Sequence, residues 1–215
     1  MSTYFITGSD TAVGKTMVTA GIANLMINDG MDVGVMKPFA AGTTSKTDPT
    51  SDMKILMDAA RSTDLLDSVC PQYYEIPASP YTACKKLGTK PDVSLVMREF
   101  ENLKQRYEIL LIEGMGGIMT PILEKYYVAD LIRDMKSKVI ITVGNKIGSL
   151  NHSIMTCRMC AEYELDVLGI IISQNDKMGY EPYELKSDLE EITRKKVIGI
   201  VPWLDDTKFT NVAKE

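Results

Sequence analysis

The stretch that most constrains this chain is Gly8-Ser9-Asp10-Thr11-Ala12-Val13-Gly14-Lys15-Thr16. It follows a strand-like run, Tyr4-Phe5-Ile6-Thr7, and opens a helix-like run from Met17 to Leu25. A strand, a glycine-containing loop and Gly-Lys-Thr at a helix start are the parts of a phosphate-binding P-loop. The loop turns backbone N–H groups inward, and the new helix adds its unpaired N–H groups and the positive end of its dipole. Lys15 is expected to reach the outer phosphates and the Thr16 hydroxyl to hold Mg²⁺. The usual spacing asks for glycine at position 9; here that residue is Ser9 and the nearest glycine is Gly8.

Beyond the loop, apolar β-branched runs alternate with helical patterns almost throughout, which predicts an α/β chain with a mostly parallel sheet. Strands are expected at Thr3 to Thr7, Asp32 to Lys37, Ile109 to Ile112, Val139 to Val143, Val167 to Ser173 and Val197 to Val201. Helices are expected at Lys15 to Asn28, Met53 to Arg61, Asp92 to Tyr107, Val128 to Met135, Ser149 to Tyr163 and Glu181 to Arg194. Ala40 to Asp52 reads as a polar loop. Val69 to Ala83, broken by Pro71, Pro77 and Pro80, reads as irregular with room for one edge strand. The pattern is P-loop NTPase-like: six or seven strands with helices on both faces, in one domain over residues 1–215. No linker or repeat divides it, and 215 residues suit a single α/β unit.

A net charge of −5 with scattered basic residues argues against a nucleic-acid partner. No apolar run is long enough to span a bilayer. The chain runs straight into a strand without a signal-like segment, so a cytosolic protein is expected. Cys157-x-x-Cys160 has metal-ligand spacing, but it lies in a helical pattern with no second pair, and His152 is the lone histidine. Reduced thiols are the expected reading of the four cysteines.

In open α/β sheets, ligands bind beyond the carboxyl ends of the strands, and the unusual loops of this chain all fall there. Lys37 ends a strand expected to flank the phosphate loop. It is either an exposed strand-end lysine or a second cation for a transferring phosphoryl group. Asp52 is either a helix-start acid or a Mg²⁺ ligand. Glu113 follows an all-apolar strand, where a carboxylate needs a partner such as a metal. Gly116 and Gly117 would let backbone N–H groups approach an anion. Asn175-Asp176 reads either as a reader of a nucleobase edge or as an Asx turn. Asn151-His152 reads as a helix start, and Trp203 as core or as a wall for a base.

These residues, in this order, resemble the dethiobiotin synthetase family over nearly the whole chain. The matching stretches are Gly8-x-Asp10-Thr11-x-Val13-Gly14-Lys15-Thr16, Lys37-Pro38-x-Ala40-x-Gly42, Ser51-Asp52, Glu113-Gly114-x-Gly116-Gly117, Gly148-x-x-Asn151-His152, Asn175-Asp176 and Pro202-Trp203-Leu204. The Gly8-to-Gly14 spacing is the family's own form of the loop. The resemblance implies ATP- and Mg²⁺-dependent ring closure of 7,8-diaminononanoate with carbon dioxide, or bicarbonate as its source, to dethiobiotin in biotin synthesis. The route runs through a carbamate and a carbamic-phosphoric anhydride.

By the same resemblance, Lys37, Lys15 and Thr11 are catalytic, and Thr16, Asp52 and Glu113 hold Mg²⁺. ATP would be bound by Ala12 to Met17, Asp52, Glu113, Gly114, Met115, Gly116, Asn175, Asp176 and Pro202 to Leu204. The diamine would meet Thr11, Lys37, Ala41, Gly116, Gly117, Leu150 and Asn151. Members are homodimers in which a tyrosine of the partner meets the substrate, and Tyr183 is the candidate here. Three positions depart from the family pattern. Ala12 stands where an acid is common, and Ala41 where serine is common. Phe209 lies near the place of a ribose-binding acid, with Asp205 and Asp206 as substitutes. The competing reading is a switch ATPase of the partitioning or cell-division type. It would carry an extra lysine early in the loop, and none lies between Gly8 and Gly14.

Overall fold

The computed structural model describes residues 1–42, 48 and 51–203. Leu204, Asp205, Asp206 and Phe209 lie outside the described residues.

The core is a six-stranded parallel sheet. Its strands are β1 (Ser2–Gly8), β2 (Val33–Met36), β5 (Ile109–Gly117), β8 (Lys138–Gly144), β9 (Val167–Ser173) and β10 (Val197–Val201), in the order β10-β9-β8-β1-β5-β2. β1 is central: Phe5 pairs with Ile112 of β5 on one side and with Val139 of β8 on the other. The chain places β2 and β5 on one side of β1 and β8 to β10 on the other. The switch point, where open α/β sheets bind ligands, therefore lies at the end of β1.

Alternation along each strand feeds two cores. Ile6, Leu111 and Ile140 pack with Val18, Ala20 and Ala23 of α1 (Lys15–Asn28) and with Leu56 and Ala59 of α2 (Asp52–Ala59). Phe5, Leu110, Ile112 and Ile141 face the opposite side. There they meet Phe100 and Leu103 of α5 (Val93–Arg106), Leu131 of α6 (Val128–Met135), Cys160 of α7 (Ser149–Glu162) and Leu189 of α8 (Pro182–Thr193). The expected helices on both faces are present. Burial pushes the Cys160 thiol up to about 12, and all four cysteines are buried free thiols. No helix among the described residues is long and apolar enough to cross a membrane.

The structure departs from the sequence reading in five places. β5 does not stop at Ile112 but runs on to Gly117, so Glu113 sits inside the strand, paired with Ile6. β2 pairs with β5, not with β1, so Lys37 does not end a strand flanking the phosphate-loop strand. Ala40 and Ala41 belong to β3 (Phe39–Ala41), which pairs in parallel with β4 (Gln72–Tyr74). The proline-rich segment holds β4 as its one strand but also the start of α4 (Pro80–Leu87), and α3 (Leu66–Val69) leads into it. Proline at the first helical position costs no hydrogen bond, and the Ser79 side chain accepts from the Thr82 N–H, so Ser79-Pro80 starts a helix rather than breaking one. A hairpin, β6 (Pro121–Leu123) with β7 (Tyr126–Tyr127), follows β5.

Candidate active site

The P-loop begins where β1 ends. Gly14 takes a left-handed conformation (φ 90°) as it caps α1, and Ala12 is also left-handed (φ 56°). Gly8 does the work expected of a glycine one position later. A Cβ there would lie 2.6 Å from the Asp10 carbonyl and 2.8 Å from Lys15 Nζ. The Lys15 side chain curls back over the loop and donates to that carbonyl at 3.0 Å. Burial and the neighbouring Lys37 ammonium lower Lys15 to about 8, partly opposed by Glu113, Asp52 and Asp10.

Four side chains from separate parts of the chain meet near Lys15: Thr16 of α1, Lys37 just after β2, Asp52 of α2 and Glu113 of β5. Lys37 Nζ lies 2.7 Å from Asp52 Oδ2 and 2.5 Å from Glu113 Oε1. The Thr16 hydroxyl lies 3.0 Å from Asp52 Oδ1 and 3.0 Å from Glu113 Oε1. The side chains of Lys37 and Glu113 are 4% and 1% exposed, while that of Asp52 is 44% exposed. Lys37 is thus a buried cation between two carboxylates rather than an exposed strand-end lysine. Burial alone would lower its pKa, but Glu113 and Asp52 outweigh that and hold it above the usual lysine value. Burial pushes Glu113 up against the opposing Lys37 charge, with Asp52 adding to the rise. Asp52 is held below the usual carboxylate value because Lys37 outweighs the effect of burial.

Asp52 is also not the cap of its helix. Ser51 takes that role, its side chain accepting from the Lys54 N–H. Two carboxylates and a hydroxyl form an all-oxygen donor set suited to Mg²⁺, which keeps waters and substrate phosphates as its remaining ligands. The second oxygen of Glu113, Oε2, is buried with no hydrogen-bond partner among the described residues. The residues present therefore fit the ion.

These groups open into one cavity of about 1190 Å³. Thr11 to Met17, Lys37, Ala41, Asp52, Glu113, Met115, Gly116 and Asn175 all line it, so most of the expected site is brought together. The rest of the wall was not foreseen and mixes apolar residues, Ala40, Ile55, Pro77, Ala78 and Pro121, with Asp58, Ser79 and Thr120.

Other expected residues fall elsewhere. Gly114 packs against the Phe5 ring, where a Cβ would come within 2.6 Å, and it does not line the cavity. The Gly117 N–H is not available to an anion, because it donates to Thr120 Oγ1 at 3.0 Å. Gly116 takes a left-handed conformation (φ 64°) in the same turn. Leu150 and Asn151, in the first turn of α7, do not line the cavity, and Asn151 is exposed. Tyr183 is 71% exposed and lines a separate depression of about 500 Å³ together with Gln174, Lys177, Tyr180 and Pro202.

The Asn175-Asp176 pair divides. Asp176 makes a turn, its Oδ1 accepting from the Met178 N–H. Asn175 reaches the P-loop, donating from Nδ2 to the Ala12 carbonyl at 2.7 Å. Trp203 is not core: it is 38% exposed, with Lys177 Nζ 4.7 Å from its ring centre.

Two polar anchors were missed. Lys146 pairs with Asp10 at 3.0 Å, and the His152 ring lies 3.5 Å from the same carboxylate, which ties the P-loop to the start of α7. Asn145, buried directly after β8, organises the segment that carries Asn175. Asp10 is conspicuous in the loop motif, but its partner is 136 residues away and no local pattern signals it.

A family model described as an AAA domain matches residues 2–211. The ATP-dependent dethiobiotin synthetase BioD of Nitrosopumilus maritimus is 48% identical over 207 residues, covering 96% of this chain and 91% of that protein. The protein of the same name from Bacillus velezensis is 33% identical over 213 residues, covering 99% of this chain and 91% of its own length. Among solved structures, the MinC:MinD cell division complex of Aquifex aeolicus aligns with a TM-score of 0.59 at 18% identity, over 99% of this chain and 86% of that one. A ParA family ATPase from Chlorobium tepidum TLS aligns with a TM-score of 0.58 at 12% identity, over 99% and 90%. At those identities the structural likenesses speak for the P-loop NTPase fold alone. The sequence relatives go further, and over nearly its whole length the chain belongs to the ATP-dependent dethiobiotin synthetase family.

Proposed function

We propose that this chain closes 7,8-diaminononanoate with carbon dioxide to the cyclic urea of dethiobiotin, using ATP. One domain carries the phosphate loop and the metal-binding acids. The observation that carries the reading is the Lys37–Asp52–Glu113–Thr16 cluster beside Lys15, opening into a cavity that also has an apolar stretch of wall, Ala40, Ile55, Pro77, Ala78 and Pro121. A diamine on an aliphatic chain needs that combination: charge handling at one end and apolar contact along the rest.

In this reading one substrate amine adds to the carbon of carbon dioxide and loses a proton, giving a carbamate. A carbamate oxygen takes the γ-phosphoryl group of ATP, and ADP leaves. The second amine attacks the activated carbonyl carbon, phosphate leaves and the ring closes. The backbone N–H groups from Ala12 to Met17 cradle the phosphates. Lys15 and Lys37 supply positive charge where negative charge builds on the carbamate and the moving phosphoryl group. Thr11 and Ala41 border the diamine, and Asn175 borders the base. Thr16, Asp52 and Glu113 would hold Mg²⁺, which when bound neutralises charge on the phosphate oxygens. The active species is read as a cytoplasmic homodimer, with Tyr183 and the α7 residues Leu150 and Asn151 turned toward the partner's substrate. A switch ATPase finds support only in the shared fold.

The test is product analysis. Incubation with the diamine, labelled bicarbonate and Mg·ATP should place label in a cyclic urea, with phosphate release that requires both diamine and bicarbonate. Steady ATP hydrolysis without either substrate would count for the switch ATPase.

A further inference from the structure

Asn145 has no part in the roles above, yet its side chain is the most completely bonded amide around the site. It is 1% exposed and follows β8 directly. Its Oδ1 accepts from the N–H groups of Asn175 at 3.0 Å and Asp176 at 2.9 Å. Its Nδ2 donates to the carbonyls of Asp176 and Tyr180, both at 2.9 Å. An amide offers two donor and two acceptor places, and all four are filled by backbone of one segment. The main chain adds to this: the Tyr180 N–H donates to the Asn145 carbonyl at 2.6 Å, and the Asn145 N–H donates to Ser173 at 3.2 Å. Gly179 lies so close to Asn145 that an added Cβ would overlap its carbonyl.

The segment held this way, residues 174–180, has no helix or strand of its own. Its backbone groups would otherwise bond to water in many conformations, so a buried amide that supplies fixed partners selects one of them. That conformation sends the Asn175 side chain across to the Ala12 carbonyl of the P-loop and lines the neighbouring depression with Gln174, Lys177 and Tyr180.

We infer that Asn145 is a positioning residue for nucleotide selectivity, holding the 174–180 segment in the form that presents its polar edge to a nucleobase. This rests on the reading above that the chain binds ATP with its base at Asn175. Selectivity among bases depends on donors and acceptors fixed in place, so a loosened segment should lose discrimination before it loses phosphate binding.

The test measures equilibrium binding of ADP and GDP, with steady-state kinetics in ATP and GTP, for the parent, Asn145→Ala, Asn145→Asp and Gly179→Ala. Tyr107→Phe, which removes a hydrogen bond to Asp64 away from the site, serves as a stability control. Asn145→Ala should lower the preference for ADP over GDP on the order of tenfold. The loss should fall in the KM for ATP rather than in kcat. Asn145→Asp can still accept from the two N–H groups and should keep more of the preference. Gly179→Ala disturbs the same contact from the other side and should reproduce the loss even if Asn145→Ala does not fold. Tyr107→Phe should leave the preference intact.

Unchanged preference in both Asn145→Ala and Gly179→Ala would overturn the inference, as would an equal loss in Tyr107→Phe. A parent that binds ADP and GDP equally would also overturn it. A parent that binds no nucleotide at all would instead sink the ATP-dependent reading itself.

Discussion

Lys37 is the residue on which charge balance in the site turns. Its ammonium lies between Asp52 and Glu113, and removing it would leave Glu113 buried without an ion pair among the described residues. Lys37→Met should therefore lower turnover about 10²-fold or more, because a preorganised charge at the reacting centre is lost. It should also destabilise the nucleotide-free protein by about 3 kcal/mol, the low end for breaking a buried pair. Urea unfolding checks this. Since burial raises Glu113 above the ordinary 4.5, its protonation as the pH falls from neutral toward that value should shrink the gap between variant and parent. A gap that widens toward acid would contradict the assignment.

Lys15 offers a second measurement. With its value lowered to about 8 from an ordinary 10.5, the nucleotide-free protein carries a penalty for charged Lys15 that is full below 8. That penalty is relieved as the pH rises from 8 toward 10.5, so the parent should gain stability over that window relative to Lys15→Met. Phosphate binding should restore the charge. At pH 9, ADP binding should take up about one proton, seen by calorimetry in two buffers of different ionisation enthalpy.

At the scale of elements, the site depends on how β1 hands the chain to α1. Gly8 leaves room for the Asp10 carbonyl and for the returning Lys15 side chain. Gly8→Ala would put a methyl group at 2.6 Å and 2.8 Å from those atoms. The loop must then shift or Lys15 must swing away, and ADP affinity should fall at least tenfold, a loss of about 1.4 kcal/mol. Equilibrium titration reads it, and circular dichroism should show the sheet intact. Gly30→Ala is the matched control, since nothing lies within 4 Å of a Cβ there, although its φ of 81° adds local strain. Normal ADP binding in Gly8→Ala would show that Ser9, in the usual glycine place, tolerates the loop without help from Gly8. The proline-rich segment makes the same point for α4: Ser79 and Pro80 look like chain breakers singly, but side by side they satisfy a helix start.

At the scale of the whole molecule, the residues expected to meet the diamine separate into two groups. Apart from Gly117, which does not line the cavity and whose N–H is taken by Thr120, one group, Thr11, Lys37, Ala41 and Gly116, lines the cavity, whereas Leu150, Asn151 and Tyr183 do not. If the second group serves the partner's site, each active site needs two chains. Mixing Lys37→Met with Tyr183→Ala, each impaired alone, should then restore activity. Random exchange makes half the dimers mixed, each with one intact site, so recovery should approach about one quarter of the parent. Activity that stays at the sum of the two variants after subunit exchange would place Tyr183 outside the site.

The phosphate loop with Lys15 and the carboxylate of Glu113 were legible in the sequence because each is a local signal, a short motif or a charge at the end of an apolar run, whereas Lys37 and Asp52 each left two readings open until the family resemblance was added. The parallel α/β sheet was legible for the same reason, since period and alternation are carried by neighbouring residues. What depended on contacts between distant segments was not. The insertion of β5 between β1 and β2 brings Glu113 to Lys37, and strand order is set by packing that no single strand encodes. Gly117 looked like an open backbone donor until Thr120 folded back on it. Asn145 carries no local signal, since its side chain's partners lie 30 to 35 residues further on. The sequence by itself thus determined which groups exist and which elements carry them. Only the tertiary structure decided which were buried together, because burial and pairing, not residue type, set whether a charge is a surface group or part of a site.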